Sequence, residues 1–150
     1  MGENIDIDKN SVHFSSDSNE WGTPQDLFNK LDKEFNFTLD PCATPSNAKS
    51  DNFYTKADNG LTKDWSKDIV FMNPPYGREI KYWVRKAYIE SLKGAVVVCL
   101  IPARTDTIYW HDYIFPHAKD IRFLKGRLRF VKGNKIGDAA PFPSAVVIFK

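Results

Sequence analysis

The chain has 150 residues, of which 42% are hydrophobic, 14% aromatic and 27% charged, a size and composition typical of one globular domain. The net charge of +2 is too small to indicate a nucleic-acid partner by itself, and two cysteines are too few for a disulfide scaffold or a zinc site. No apolar run approaches the ~20 residues of a membrane span, and no signal-peptide pattern is present, so we expect a soluble protein of the reducing cytoplasm with no bound metal.

The N-terminal residues 1–19 are polar and rich in Ser, Asp and Asn, which predicts a flexible leader before a single domain over residues 20–150. The segment WGTPQDLFNKLDKEF then predicts an amphipathic helix, because its large apolar residues recur at helical spacing. Thr23 is the expected cap of this helix, with Pro24 at its first position. The next apolar segment, Phe37 to Asp40, reads as a short strand that Pro41 stops.

The middle of the chain alternates strands and helices after a polar, loop-like stretch over residues 43–67. IVFMN (69–73) predicts a strand, residues 78–93 a helix with one apolar face, and GAVVVCLIPA (94–103) a central strand covered on both sides. ARTDTIYWHDYIF predicts another helix, capped by Thr105 or Asp106. IRFLKGRLRFV predicts two short strands about Gly126, and SAVVIFK a final buried strand. This order indicates an α/β fold with a mainly parallel sheet, helices on both faces and an antiparallel C-terminal edge.

The sequence NPPYG, which follows the IVFM strand, is the strongest candidate for chemistry. The prolines hold Asn73 and Pro74 extended, so the side-chain carbonyl of Asn73 and the backbone carbonyl of Pro74 form a pair of hydrogen-bond acceptors. That pair suits an NH₂ group, such as the exocyclic amine of a nucleobase, and favours a nitrogen with an available lone pair. Tyr76 would offer a face on which an extruded base can stack. Alone, NPPY is also consistent with a rigid turn after a strand.

The NPPY motif resembles motif IV of S-adenosylmethionine-dependent methyltransferases that act on exocyclic amino groups. The wider pattern is similar to that of the phage-type DNA N-6-adenine methyltransferase family, related to the Dam enzymes. It covers about Trp21 to Phe149 and reads WGTPQDLF, FTLDPCAT, ADNGL, NPPYG, LIPARTDT, GRLRF and PFPSAVVIF, in that order. The resemblance implies a Rossmann-like methyltransferase fold, S-adenosylmethionine as cofactor and N6 of adenine in DNA as the methylated atom.

The resemblance also implies roles for individual residues. The target amine and base would be held by Asn73, Pro74 and Tyr76, with Pro75 beside them. The cofactor would be bound by residues of three segments, with Asp40 as the acid at the end of the first strand and Asp58 on the cofactor's adenine. The full cofactor set is Trp21, Thr23, Pro24, Asp40, Cys42 and Asp58. Asp58 is equally able to start an Asp-Asn-Gly turn, and Thr23-Pro24 to start a helix.

The sequence departs from the family pattern on the cofactor side. The usual glycine-rich turn after the first strand is absent, and only 17 residues separate Asp40 from Asp58. This interval is too short for the usual helix and second strand, so the second-strand lobe is expected to be abbreviated, and no residue is assigned to the ribose.

The expected DNA surface lies in the C-terminal part of the chain, where residues 119–135 contain seven Lys or Arg against one acid. In GRLRFV, Arg127 and Arg129 should point to solvent opposite Leu128, which suits phosphate contacts, although such a stripe can also be a solvated edge. Arg104 and Asp106 should lie at the mouth of the crevice, near the flipped base.

The function that the sequence favours is therefore methylation of adenine N6 in DNA, by a protein of the bacterial host cytoplasm if a phage encodes it. DNA is the expected partner, with no membrane and a monomer favoured. Two alternatives stay open: a methyltransferase that acts on an RNA base or a protein glutamine, and a DNA-binding remnant that has lost cofactor binding.

Overall fold

The computed structural model of the protein describes residues 21–150, so the predicted leader lies outside the described residues. Its helices are α1 (Gln25–Phe35), α2 (Ile80–Leu92) and the short α3 (Phe115–His117), which continues a π-helical turn at Trp110–Ile114. Its strands are β1 (Ile69–Met72), β2 (Val96–Pro102), β3 (Asp120–Phe123), β4 (Arg129–Lys132), β5 (Lys135–Ala139) and β6 (Ser144–Phe149). The mixed α/β class and the strands predicted on both sides of Gly126 are confirmed.

The main sheet has the order β1-β2-β6-β3. β1 and β2 are parallel, with Met72 opposite Cys99, whereas β6 runs antiparallel to both of its neighbours. The C-terminal strand is therefore buried and antiparallel to its neighbours, with all six of its residues buried, as predicted. β3, from the C-terminal part of the chain, forms the edge of the sheet, with an exposed Phe123.

The predicted first strand lies against β1 without forming a regular ladder. Leu39 bridges Val70 and Asp40 bridges Phe53, both in parallel. The amide of Phe71 donates to the carbonyl of Leu39 at 3.0 Å. Two more parallel segments, about residues 39–40 and 53, thus extend the sheet beyond β1, and the second of them is very short.

The start of α1 differs from the prediction. Pro24 precedes the helix with φ −57° and ψ 132°, and no side chain caps the helix. The predicted cap, Thr23, is 4% exposed, and its hydroxyl accepts a hydrogen bond from Asn73 instead. A buried tertiary partner has therefore replaced the local one.

The helix expected after β2 begins later than predicted. The chain first makes a turn in which the Thr107 hydroxyl donates to the Arg104 carbonyl at 2.7 Å, and the π-helical turn then begins after Tyr109 without a side-chain cap. The predicted caps at Thr105 and Asp106 were therefore wrong: both residues lie in the exposed turn.

The core is formed by the faces of β2 and β6 and by large aromatic side chains, including Phe71, Trp65 and Trp110, which are all at most 1% exposed. Each such side chain contributes about 1.5–3 kcal/mol by leaving water. α1 packs on β1 through Phe28 and Phe71, whose rings are 5.1 Å apart. None of the helices that the structure describes is long and apolar enough to cross a membrane.

Candidate active site

Asn73 immediately follows β1, and its side-chain amide has a defined orientation. The Nδ2 group donates to the backbone carbonyl of Trp21 and to the hydroxyl of Thr23, the latter at 2.9 Å. The Oδ1 atom accepts from the hydroxyl of Tyr76 at 2.8 Å. Because a carbonyl oxygen can accept two hydrogen bonds, Oδ1 keeps capacity for one further donor.

The segment that orients Asn73 is held in place by the β4–β5 hairpin. Gly22 and Val131 exchange two backbone hydrogen bonds of 2.9 and 2.8 Å. A Cβ on Gly22 would lie 2.4 Å from the Val131 carbonyl oxygen, so no other residue fits without a backbone shift. The glycine of WGTP therefore lets the hairpin fix Trp21 and Thr23 against Asn73.

Four aromatic rings form a cluster beside Asn73, with centroids 5.2 to 6.3 Å apart: Trp21, Tyr76, Phe130 and Phe142. We call them the aromatic cluster. Tyr76, the predicted stacking ring, is only 3% exposed, and burial raises the pKa of its hydroxyl. Its single hydroxyl hydrogen is shared between Asn73 Oδ1 at 2.8 Å and the Leu100 carbonyl at 3.1 Å. In this structure, Tyr76 is thus a buried residue whose hydroxyl helps to orient the Asn73 side chain.

A cavity of about 320 Å³ opens next to Asn73. Most of the predicted cofactor and target residues line it, namely Trp21, Thr23, Asp40, Cys42, Asn73, Pro74 and Pro75. Pro24 does not, although it leads into α1 directly behind Thr23. The sequence motifs, far apart along the chain, therefore converge on one site.

Asp40 is the buried acid of this cavity and is 5% exposed. Its carboxylate accepts from the backbone amides of Lys49 at 3.0 Å and Cys42 at 3.4 Å. Burial nevertheless raises the pKa of Asp40 to about 6, because the two amides only partly replace water. The loop after Asp40 is thus closed by carboxylate–amide bonds rather than by a glycine-rich turn.

Cys42 connects this acid to the catalytic candidate. Its thiol donates to the backbone carbonyl of Asn73 at 3.3 Å, and burial raises the pKa of the thiol. Both Cys42 and Cys99 are free, and no group of His, Cys, Asp or Glu in residues 21–150 is arranged to hold a metal ion.

Asp58 does not line the cavity, contrary to the prediction. It is exposed, and its carboxylate accepts from the amide and hydroxyl of Thr55 at 2.9 and 3.1 Å, which lowers the pKa of Asp58. The next residues, Asn59 and Gly60, form the cavity wall instead. Gly60 is required there because a Cβ would lie 2.1 Å from the Pro41 carbonyl oxygen.

The two polar residues predicted at the crevice mouth differ in position. The Arg104 guanidinium lies 5.2 Å from the ring centroid of Phe142, which places it on the aromatic cluster. Asp106 is exposed in the turn after β2, and no hydrogen bond or ion pair among the described residues connects it to the site. The structure therefore brings Arg104 to the site but not Asp106.

The predicted orientation of the GRLRFV segment is confirmed: Arg127 and Arg129 are exposed, while Phe130 is 1% exposed. Lys132 of the same hairpin lies 4.2 Å from the ring of Trp21, at the site. Arg122 does not belong to this surface, because it makes two 2.7 Å bonds to Glu34 and one of 2.9 Å to Asp120. Of the basic residues of 119–135, Lys132 thus lies at the site, whereas Arg122 is ion-paired elsewhere.

Sequence reasoning missed several residues that line the cavity: Lys49, Asn59, Glu79 and Trp83. Asn59 was detectable, since an Asn before Gly is typical of the left-handed conformation that it adopts, with φ 55°. The other three had no local signal. The bond from Asn73 to Thr23 was missed because it joins residues fifty positions apart.

The model of one protein family, described as DNA N-6-adenine-methyltransferase (Dam), matches residues 10–150. The DNA N-6-adenine-methyltransferase of Haemophilus phage HP1 (strain HP1c1) is 33% identical over 141 residues, which are 90% of this chain and 80% of that protein. The DNA N-6-adenine-methyltransferase of Escherichia phage T1 is 27% identical over 131 residues, 76% of this chain and 54% of that protein.

Proposed function

Because the chain belongs to the DNA N-6-adenine-methyltransferase (Dam) family, we propose that it transfers a methyl group from S-adenosylmethionine to N6 of adenine in DNA. The observation that carries this proposal is the oriented amide of Asn73 at the wall of a 320 Å³ cavity. The amide supplies an acceptor for an amine, and the cavity supplies room for an organic cofactor beside it.

Asn73 and Pro74 are proposed to bind the target amine. The hydrogen bond to the Trp21 carbonyl, which can only accept, identifies Nδ2 as the donor, so Oδ1 faces an incoming N–H with one lone pair still available. Among the residues that the structure describes, none donates to the Pro74 carbonyl, which would take the second N–H. Two acceptors on one amine keep its lone pair out of the ring system and directed at the methyl carbon.

The cavity fits a cofactor with a charged and an aromatic part. Its polar groups include the buried carboxylate of Asp40, whereas Phe71 and Trp83 supply apolar walls. Bound there, S-adenosylmethionine would supply a methyl group on a sulfonium centre. In the transfer, the sulfur–methyl bond breaks as the N6–methyl bond forms, and the amine loses one proton to water. Asp40, Cys42 and Thr23 would bind and orient the cofactor.

The flipped base is proposed to stack on Tyr76. Since Trp21, Phe130 and Phe142 cover that ring, stacking requires their side chains to turn aside when DNA binds. The backbone bonds between Gly22 and Val131 stay in place, so the amide of Asn73 remains oriented. Base–aromatic stacking contributes about 1–3 kcal/mol, which offsets one or two of the three ring pairs that Tyr76 makes, at about 0.5–1.5 kcal/mol each. Arg104 would contact the base or its neighbours from the Phe142 side.

The segment 127–132 is the proposed DNA surface. Lys132 lies over the Trp21 ring of the aromatic cluster, and Arg127 and Arg129 are exposed on the same segment, so phosphate contacts from these side chains would place DNA near Asn73. Such contacts position a duplex without reading its sequence.

We further propose that residues 20–150 form a single domain with a Rossmann-like methyltransferase fold. Three features support this: parallel segments at 53, 39–40, β1 and β2, one antiparallel strand near the C-terminus, and a site at the end of β1. The single bridge at Phe53 is the expected remnant of an abbreviated second strand.

A tritium-methyl transfer assay tests the function. Purified protein is incubated with labelled S-adenosylmethionine and unmethylated DNA, RNA or a protein extract, and the labelled product is identified after digestion. We expect label in N6-methyladenine of DNA. Label in RNA or in glutamine would identify a different substrate, and no label in any of them would indicate a DNA-binding remnant.

A further inference from the structure

One end of the cavity is bordered by a ring of contacts, through side chains and backbone amides, that returns to Asn73 and includes the exposed Gln25. On one side, Asn73 binds Thr23, and two residues later the Gln25 Oε1 atom accepts from the Lys49 ammonium at 2.7 Å. On the other side, the thiol of Cys42 binds the Asn73 carbonyl, and the Cys42 amide binds Asp40. The bond from the Lys49 amide to Asp40 closes the ring.

Lys49 and Asp40 are the opposite charges of this ring. Burial lowers the pKa of Lys49 and raises the pKa of Asp40, so the charged form of each lacks solvation that a ligand could supply. The Lys49 ammonium uses one hydrogen bond on Gln25 and has three donors in total. By contrast, Lys56 also lines the cavity but is exposed at its rim.

We propose that Lys49 binds the carboxylate at the amino-acid end of the methyl donor, while Asp40 binds the adjacent ammonium. The inference rests on the proposed function, since it assumes that the donor's sulfur lies near Asn73. The amino-acid chain attached to that sulfur then falls within the ring. The nucleoside part extends the other way, past Pro41, to the wall formed by Asn59 and Gly60.

The pairing is complementary in sign and in position. The donor's amino-acid end carries one ammonium and one carboxylate on the same carbon. The ring holds the carboxylate of Asp40 and the ammonium of Lys49, two residues that a hydrogen bond from the Lys49 amide to Asp40 connects. Lys49 would therefore supply a cofactor contact in a loop that lacks the usual glycine-rich turn. A charge-assisted contact of this kind at a partly buried site is expected to change affinity by about 10-fold to 100-fold.

Calorimetric titration separates this role from a structural one. The ligands are S-adenosylhomocysteine and its decarboxylated form, each titrated into the full chain with unmethylated plasmid DNA present. The wild type should bind S-adenosylhomocysteine about 10-fold to 100-fold more tightly than the decarboxylated ligand. In Lys49→Met this preference should disappear, chiefly through loss of affinity for the carboxylate ligand, and the cycle of two proteins and two ligands measures the coupling. Lys49→Arg should retain it.

Lys56→Met is the matched control, because it removes an ammonium from the same cavity outside the ring, and it should leave the preference unchanged. If Lys49→Met lost affinity equally for both ligands, or bound both with unchanged affinity, the assignment of Lys49 would be overturned. If the wild type bound neither ligand, both the assignment and the proposed function would fail.

Discussion

Thr23→Val tests whether the buried hydroxyl of Thr23 orients the catalytic amide. Valine has nearly the same shape but cannot accept the 2.9 Å hydrogen bond from Asn73. The amide keeps its bond to the Trp21 carbonyl, so one of two restraints on Nδ2 is lost. A hydrogen bond of this type contributes a net 0.5–1.5 kcal/mol, roughly, which corresponds to a decrease in kcat of about 2-fold to 13-fold.

The assay is methyl transfer to DNA with both S-adenosylmethionine and DNA saturating, so that only the oriented complex is compared. Thr23→Ser is the matched control, because it retains the hydroxyl and loses only a methyl group. It should keep kcat within about 2-fold of the wild type. Thermal melting checks that both variants are folded. A valine variant with wild-type kcat, or a serine variant as impaired as valine, would refute the orienting role.

Two further predictions concern Asp40 and the hairpin. Because the pKa of Asp40 is raised from 3.8 to about 6, its stabilising contribution is complete below the unfolded value and is lost as pH rises through 6. Relative to Asp40→Asn, the wild-type free energy of unfolding in urea should therefore fall by about 2 kcal/mol between about pH 4.5 and about pH 7.5, and parallel profiles would contradict this. Arg129→Ala with Lys132→Ala should lower the slope of log K against log salt for DNA binding by about 1.8, or about 0.9 per lost contact. In a fluorescence anisotropy titration, the ion-paired Arg122→Ala should leave the slope unchanged; an equal decrease there would argue for diffuse charge instead of a hairpin surface.

The strands and the turn that carries Asn73 could be predicted from sequence because their signals are local. β2 is a continuous run of apolar residues, and the double proline stops β1 directly after Asn73. The alternation in GRLRFV likewise determined that Arg129 is exposed and Phe130 buried. In each case, neighbours in the chain decide the conformation, so the pattern is sufficient.

The parts that were predicted wrongly depend on distant partners. Thr23 has the local features of a helix cap, yet its hydroxyl is used by Asn73 across the site. Nothing near Tyr76 in sequence shows that Phe130 and Phe142 cover its ring. Asp58 and Asn59 are neighbours in a tight turn, and only the folded chain shows that Asn59 lines the cavity.

The position of β6 illustrates the same limit at the level of the fold. Its all-buried sequence predicted a strand, and the preceding hairpin-like segment predicted an antiparallel direction. The order of the strands along the chain does not show which two strands β6 lies between, because β2 and β3 could equally have paired with each other. Only the packing of both faces places it between them.

The central claim is that Asn73 binds the amine that is methylated, and comparison of Asn73→Ala with the wild type tests it most directly. Each protein is expressed in cells, and N6-methyladenine in the cellular DNA is measured by mass spectrometry of digested nucleosides. Thermal melting and S-adenosylhomocysteine binding of the purified proteins check the fold and the cofactor site. We predict N6-methyladenine with the wild type and only background with a folded, cofactor-binding alanine variant; equal N6-methyladenine in both would contradict the account.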